Sequence, residues 1–164
     1  MILIGLGSNL PTPEGHAPAE NLRQALRNLE HSTISVETVS SFYESAPVPD
    51  DGSPCYVNAV ASVSTRLAPE ELLSTLLNIE ARLGRRRSVP NAPRIIDLDL
   101  LACGSVILSG SLLTLPHPRM MERAFVLAPL AEIAPDWRHA VTGEKAVEAL
   151  TKVDPTQIRR LMAG

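Results

Sequence analysis

The stretch Arg94-Ile95-Ile96-Asp97-Leu98-Asp99-Leu100-Leu101 sets the tightest limit on how this chain folds. Two carboxylates one residue apart interrupt an otherwise apolar run. Only a β-strand sorts the two kinds of side chain, sending Asp97 and Asp99 to one face and Ile96, Leu98 and Leu100 to the other. Two residues of rise hold the aspartates roughly 7 Å apart at the backbone, so their side chains can converge on two divalent cations about 4 Å apart. Just upstream stand Arg85-Arg86-Arg87 and Arg94, with no acidic residue between Arg82 and Asp97. That pattern suits polyphosphate gathered around magnesium. A solitary Asp-x-Asp also occurs on solvated edge strands, and it is the arginines that favour a metal and phosphate site.

The chain has 164 residues, 45% of them hydrophobic and 20% charged, enough for one core, and residues 1–164 are read as a single domain. A net charge of −3 argues against a broad nucleic-acid surface, so the arginines read as a local site for a small partner. Cys55 and Cys103 form neither a disulfide framework nor a Cys-x-x-Cys pattern, which points to a reducing compartment. With no basic leader after Met1 and no apolar stretch near the roughly 20 residues of a membrane span, the expected location is cytoplasmic.

Ile2-Leu3-Ile4 opens a buried strand that ends in the glycine-rich turn Gly5-Leu6-Gly7-Ser8-Asn9-Leu10. Leu10 where a third glycine belongs, followed by Pro11 and Pro13, excludes a dinucleotide fingerprint. Leu22, Ala25, Leu26 and Leu29 mark one stripe of a first helix. A second strand is expected from about Thr33 to Glu44, then a loop from Ser45 to Pro54 broken by prolines and Gly52. The third strand, Tyr56 to Thr65, alternates so that Tyr56 and Asn58 project together, either as ordinary edge residues or as a cradle for a flat heterocycle.

Pro69, Glu70 and Glu71 announce a second helix that stops at Gly84, with Leu73, Leu76, Leu77 and Glu80 on one stripe. A carboxylate there asks for a partner, an arginine or a ligand. Residues 84–93 lack periodicity and read as a positively charged lid. Beyond Asp99 the chain is expected to turn at Cys103-Gly104 and pair back through Val106-Ile107-Leu108 as a hairpin. Prolines on both sides hold His117 extended, with Arg123 close behind. A short helix is expected over Ala124–Glu132, bent at Pro129, and a last helix starting at Asp154-Pro155-Thr156-Gln157.

Asn91-Ala92-Pro93-Arg94-Ile95-Ile96-Asp97-Leu98-Asp99-Leu100-Leu101 resembles the signature of the 6-hydroxymethyl-7,8-dihydropterin pyrophosphokinase family of the folate pathway. Gly7-Ser8-Asn9-Leu10, Ser41-Phe42-Tyr43-Glu44-Ser45, Tyr56-Val57-Asn58-Ala59 and Leu115-Pro116-His117 through Arg123-Ala124-Phe125 are similar to that family in the same order. The resemblance implies a ferredoxin-like α+β fold, an antiparallel sheet with helices packed on it. It implies pyrophosphate transfer from ATP to the hydroxymethyl group of the dihydropterin, releasing AMP, with two Mg2+ ions. Asp97 and Asp99 match the metal ligands, and Arg85, Arg87, Arg94, His117 and Arg123 match phosphate-binding or closing positions. Ser45, Ala46, Val48, Tyr56, Asn58 and Phe125 match the pterin pocket, where Arg94 also counts, while Glu80, Leu100 and Thr114 match the nucleotide side. ATP and the pterin are the expected partners of a monomer that binds neither nucleic acid nor membrane. The chain departs from the family's better-known members at Pro90-Asn91-Ala92, where an aromatic lid residue is missing, at Leu112 in place of an arginine, and at Pro118 in place of an aromatic.

Overall fold

The computed structural model describes residues 1–47, 49–84 and 94–162. The first apolar run forms β1 (Ile2–Ser8), flanked by the aspartate strand β5 (Asp97–Cys103) on one side and β4 (Tyr56–Thr65) on the other. The far edge of β4 is shared: β2 (Ile34–Val39) pairs with its second half and β3 (Tyr43–Ser45) with its first. The C-terminal β8 (Ile158–Arg160) closes that edge by pairing with β3. Every pairing in this six-stranded sheet is antiparallel.

Helices cover both faces because both faces carry apolar residues. On one face Ile4, Leu6, Ala59, Ala61, Leu98 and Leu100 pack with Leu22 and Leu29 of α1 (Pro18–Glu30) and with Leu72 and Leu76 of α2 (Pro69–Arg82). On the other, Leu3, Val60 and Leu101 pack with Val126 and Leu130 of α3 (Ala124–Ile133) and with Ala146 of α4 (Ala146–Leu150). Alternation from Asp97 and Asp99 puts Leu101 in this second core, and Ala102 joins it because the register against β1 slips: Leu3 faces Ala102 while Ile4 faces Leu100. That extra residue is a β-bulge, which turns a side chain to the other face. The result is the expected ferredoxin-like α+β arrangement.

Several local expectations are corrected. The strand foreseen over 33–44 is two strands, since Ser40 replaces a backbone partner with its hydroxyl: Val60 N donates to Ser40 Oγ at 3.0 Å. Residues 106–108 do not pair back on the aspartate strand. Instead Gly104 turns at φ +55°, and β6 (Leu108–Ser109) pairs with β7 (Thr114–Leu115) as a separate hairpin. On α2 the buried residues are Leu72, Leu76, Ile79 and Glu80, so the stripe is rotated away from Leu73 and Leu77. α3 runs through Pro129 to Ile133.

The last helix is absent among the described residues. Asp154 caps a single turn of 3-10 helix at Pro155–Gln157, accepting from Thr156 N at 2.9 Å, and the chain then extends into β8. A cap satisfies one local donor, whereas the open edge of β3 offers a whole ladder. The lid expected over 84–93 lies outside the described residues beyond Gly84.

Candidate active site

Cross-strand registry assembles the site. Asp97 stands opposite Gly7, and Gly7 stands opposite Asn58, which in turn faces Tyr43. Neighbouring strands are ~4.8 Å apart, so the aspartate and the asparagine flank a glycine-floored trough about two strand spacings wide. Asp99 faces the second glycine, Gly5, in the same way. Alternation puts all these residues on the α3 side, since Leu98 and Leu100 belong to the opposite core. A methyl group at Gly7 would lie 3.4 Å from Asn58 Oδ1 and 3.8 Å from the Tyr56 ring, so the missing side chain is what leaves the trough open.

The acidic wall is charged and partly buried. Arg94 donates to Asp97 Oδ2 at 2.8 Å. Burial, and then the neighbouring charge of Asp97, push the Asp99 carboxyl up to about 7, against the pull of Arg123 and Arg94. His117 follows β7 and is anchored by its own N–H to Leu101 O at 2.8 Å. Its Nδ1 accepts from Arg119 N at 3.2 Å. Burial first, then Arg123 and Arg119, hold the imidazole below its ordinary value, which favours its neutral form. Arg123 precedes α3, with its guanidinium 5.5 Å from the centre of the Phe125 ring. Burial and Arg119 lower it, while Asp99 and Asp97 act in the opposite sense.

The opposite wall carries amide and aromatic groups. Asn58, 5% exposed, donates from Nδ2 to Ser45 Oγ at 2.8 Å and to Tyr43 O at 3.4 Å, so its Oδ1 is the atom turned toward Gly7. Tyr56 pairs with Ser45 across the β3–β4 ladder.

The structure thus brings together Asp97, Asp99, Arg94, His117 and Arg123, and, across the trough, Ser45, Tyr56 and Asn58. Three residues matched to the nucleotide side stand apart from these. Leu100 buries its side chain in the opposite core, leaving only its backbone to reach a ligand on the aspartate side. Glu80, 2% exposed on α2, accepts from Leu98 N at 2.7 Å and so braces β5 from behind. Thr114 is exposed on β7. Ala46 is exposed on the loop after β3, and Val48, Arg85 and Arg87 lie outside the described residues.

Sequence reasoning passed over Asn9 and Asn21, both almost completely buried beside the site. Asn21 lies on the buried side of α1 next to Leu22, and an amide on an apolar stripe was the signal available.

Two carboxylates with hard oxygen donors suit a magnesium ion, which keeps waters and takes its other ligands from substrate phosphates. No cluster of three or more His, Cys, Asp or Glu side chains that could hold a metal occurs among the described residues. The donor set therefore fits a metal that arrives with a polyphosphate.

The family model described as 7,8-dihydro-6-hydroxymethylpterin-pyrophosphokinase matches residues 3–135. A 2-amino-4-hydroxy-6-hydroxymethyldihydropteridine pyrophosphokinase of Synechocystis is 40% identical over 168 residues, covering 99% of this chain and 80% of that protein. One of Methylorubrum extorquens is 42% identical over 159 residues, covering 96% of each. Among solved structures, Plasmodium falciparum HPPK-DHPS A437G with pteroate superposes with a TM-score of 0.72 at 13% identity, over 97% of this chain. The match takes up 46% of that longer chain and bears on the fold alone.

Proposed function

The chain belongs to the 7,8-dihydro-6-hydroxymethylpterin-pyrophosphokinase family, whose members transfer pyrophosphate from ATP to hydroxymethyldihydropterin in folate synthesis, and we propose that the trough between Asp97 and Asn58 is where it does so. The observation that carries this reading is the row Asp97, Gly7, Asn58, which sets a charged wall and an amide wall on either side of a bare strand.

In this reading the hydroxymethyl oxygen attacks the β-phosphorus of ATP, the bond from that phosphorus to the α–β bridging oxygen breaks, AMP leaves, and the hydroxyl proton passes to solvent. Pyrophosphoryl transfer needs alignment and charge neutralisation more than covalent chemistry. Asp97 and Asp99 hold two Mg2+ ions, which when bound supply neutralisation of the phosphate oxygens. Arg94 and Arg123 contact the transferred phosphates, joined by Arg85 and Arg87 on the strength of resemblance. Neutral His117 donates a hydrogen bond to a phosphate oxygen from Nε2, since Nδ1 is occupied as an acceptor.

Asn58 Oδ1 accepts from an N–H of the pterin, with Tyr56 and Phe125 against the ring and Ser45, Ala46 and Val48 around its edge. Leu100, through its backbone, and Thr114 meet the nucleotide. Glu80 acts there through β5, which its Oε1 holds at Leu98 N. The protein works as one domain, a monomer and a cytoplasmic enzyme in this reading. Both cysteines are free, and no helix among the described residues is long and apolar enough to cross a membrane.

The test is to incubate the protein with ATP, magnesium and hydroxymethyldihydropterin and follow AMP. AMP is expected only with all three present. Asp97→Ala and Asp99→Ala should each slow turnover by several orders of magnitude, a barrier increase of ~4 kcal/mol or more, while leaving the circular dichroism unchanged. Near wild-type turnover of either variant at limiting magnesium would remove the two-metal assignment.

A further inference from the structure

Asn9 is 1% exposed, at the turn leaving β1, and its side chain contacts two other segments that lead into the site. Its Oδ1 accepts from Arg94 N at 2.8 Å, and its own N–H donates to Arg94 O at 3.0 Å, a carbonyl that also accepts from Leu10 N at 3.1 Å, so both backbone groups of Arg94 are bonded to Asn9. Its Nδ2 donates to Pro54 O at 3.2 Å, two residues before Tyr56 begins β4. Asn21 braces the same turn from α1, donating to Ser8 Oγ at 3.1 Å, Leu10 O at 2.9 Å and Ile95 O at 3.2 Å.

Arg94 and Pro54 stand three and two residues ahead of the strands that carry Asp97 and Asn58. A side chain that accepts at one and donates at the other ties the entrances of the two walls to a common point. A primary amide does both at once from two separate atoms of one planar group. A buried plug with no such task would do better as a hydrocarbon, since burying an amide repays its desolvation only through those bonds.

We propose that Asn9 is a positioning residue that couples the two walls of the site: it holds Arg94 so that its guanidinium meets Asp97 and the transferring phosphate, and through Pro54 it sets the chain that presents Tyr56 and Asn58. The proposal rests on the reading of Arg94 as a phosphate ligand. Asn9 touches no substrate itself. It acts through the acidic wall on rate and through the amide wall on pterin affinity.

The test uses Asn9→Ala and Asn9→Asp, each alone and combined with Arg94→Ala, with single-turnover rate at saturating ATP and pterin, and pterin dissociation constant, as readouts. Asn9→Ala should lower the single-turnover rate tenfold or more in the wild-type background and less than threefold in the Arg94→Ala background, because the group it positions is then missing. Asn9→Asp keeps the acceptor for Arg94 N but not the donor to Pro54 O. It should weaken pterin binding about tenfold and cost no more than threefold in rate. Equal rate losses for Asn9→Ala in both backgrounds would overturn the proposal, as would indistinguishable behaviour of the Ala and Asp variants. If Asn9→Ala does not fold, the Asp variant decides alone: loss of rate along with affinity overturns it. Failure of both variants to fold also overturns it, because the amide would then be structural only. Arg94→Ala by itself tests the underlying reading. An unchanged rate in that variant removes Arg94 from the phosphate site, a result separate from any outcome at Asn9.

Discussion

Asp99 sits where stability and function pull apart. Its carboxyl is pushed up to about 7 from 3.8 by burial and by Asp97, so the native state holds a proton there over a range where the unfolded chain has released it. Below pH 3.8 both states are protonated and Asp99 costs nothing. As pH rises from about 4 to 7 the stability it allows is lost, and above 7 the full penalty applies. Asp99→Asn should therefore raise the unfolding free energy of the metal-free protein at pH 8, by something on the order of 4 kcal/mol. The gain should vanish near pH 4 and turnover should be abolished. Urea titrations at the two pH values, in a metal chelator, check it. A gain independent of pH would mean that the carboxyl is not the group responsible.

At the scale of elements, the ladder of the short strands β3 and β8 is reinforced by Glu132 near the end of α3. Its Oε1 accepts from Ser41 N at 2.9 Å and Ser41 Oγ at 2.8 Å, and its Oε2 from Tyr43 Oη at 2.7 Å. Arg160 of β8 reaches the same Ser41 hydroxyl at 2.7 Å. Burial, together with the bond to the carboxylate, pushes the Tyr43 phenol up to about 12, so it stays a donor through the physiological range. Two three-residue strands are too short to hold by ladder bonds alone. Glu132→Ala should cost ~2 kcal/mol and speed amide exchange over 158–161 before the rest of the sheet responds. Tyr43→Phe, losing one charge-assisted bond, should cost ~1 kcal/mol. Exchange protection followed by NMR separates this local release from global opening.

For the whole molecule, the sheet carries two cores and only one of them lies under the site. Leu72 of α2 and Leu130 of α3 are each fully buried, on opposite faces. Truncation to alanine should destabilise by ~2–5 kcal/mol in either case. Leu130→Ala should also weaken pterin binding, because α3 follows directly on Arg123 and carries Phe125 on the face of Asp97 and Asn58. Leu72→Ala should leave binding unchanged in the folded fraction. Calorimetric titration with pterin, below the melting temperature of both variants, distinguishes them. Equal binding losses would imply that the sheet transmits disturbance from either face.

Which residues share a face, and of what chemical kind they are, is legible in the local pattern of the chain. Alternation settles the separation of Asp97 and Asp99 from Leu98 and Leu100, and of Asn58 from Val57 and Ala59, because a strand's period of two is a property of the backbone. Helical spacing likewise found α1 and α2, whose stripes are long enough to average out local conflict. Which strand lies beside which is set by packing between distant segments and emerges with the folded sheet. The trough exists because Gly7 faces both Asp97 and Asn58, residues separated by 39 positions in the chain. The folded sheet also turned the local cap at Asp154 into one turn before an edge strand, and gave Asn9 its role. Short elements and buried amides take their partners from distant segments, and the energy of those partnerships is not written in the residues' own neighbourhoods.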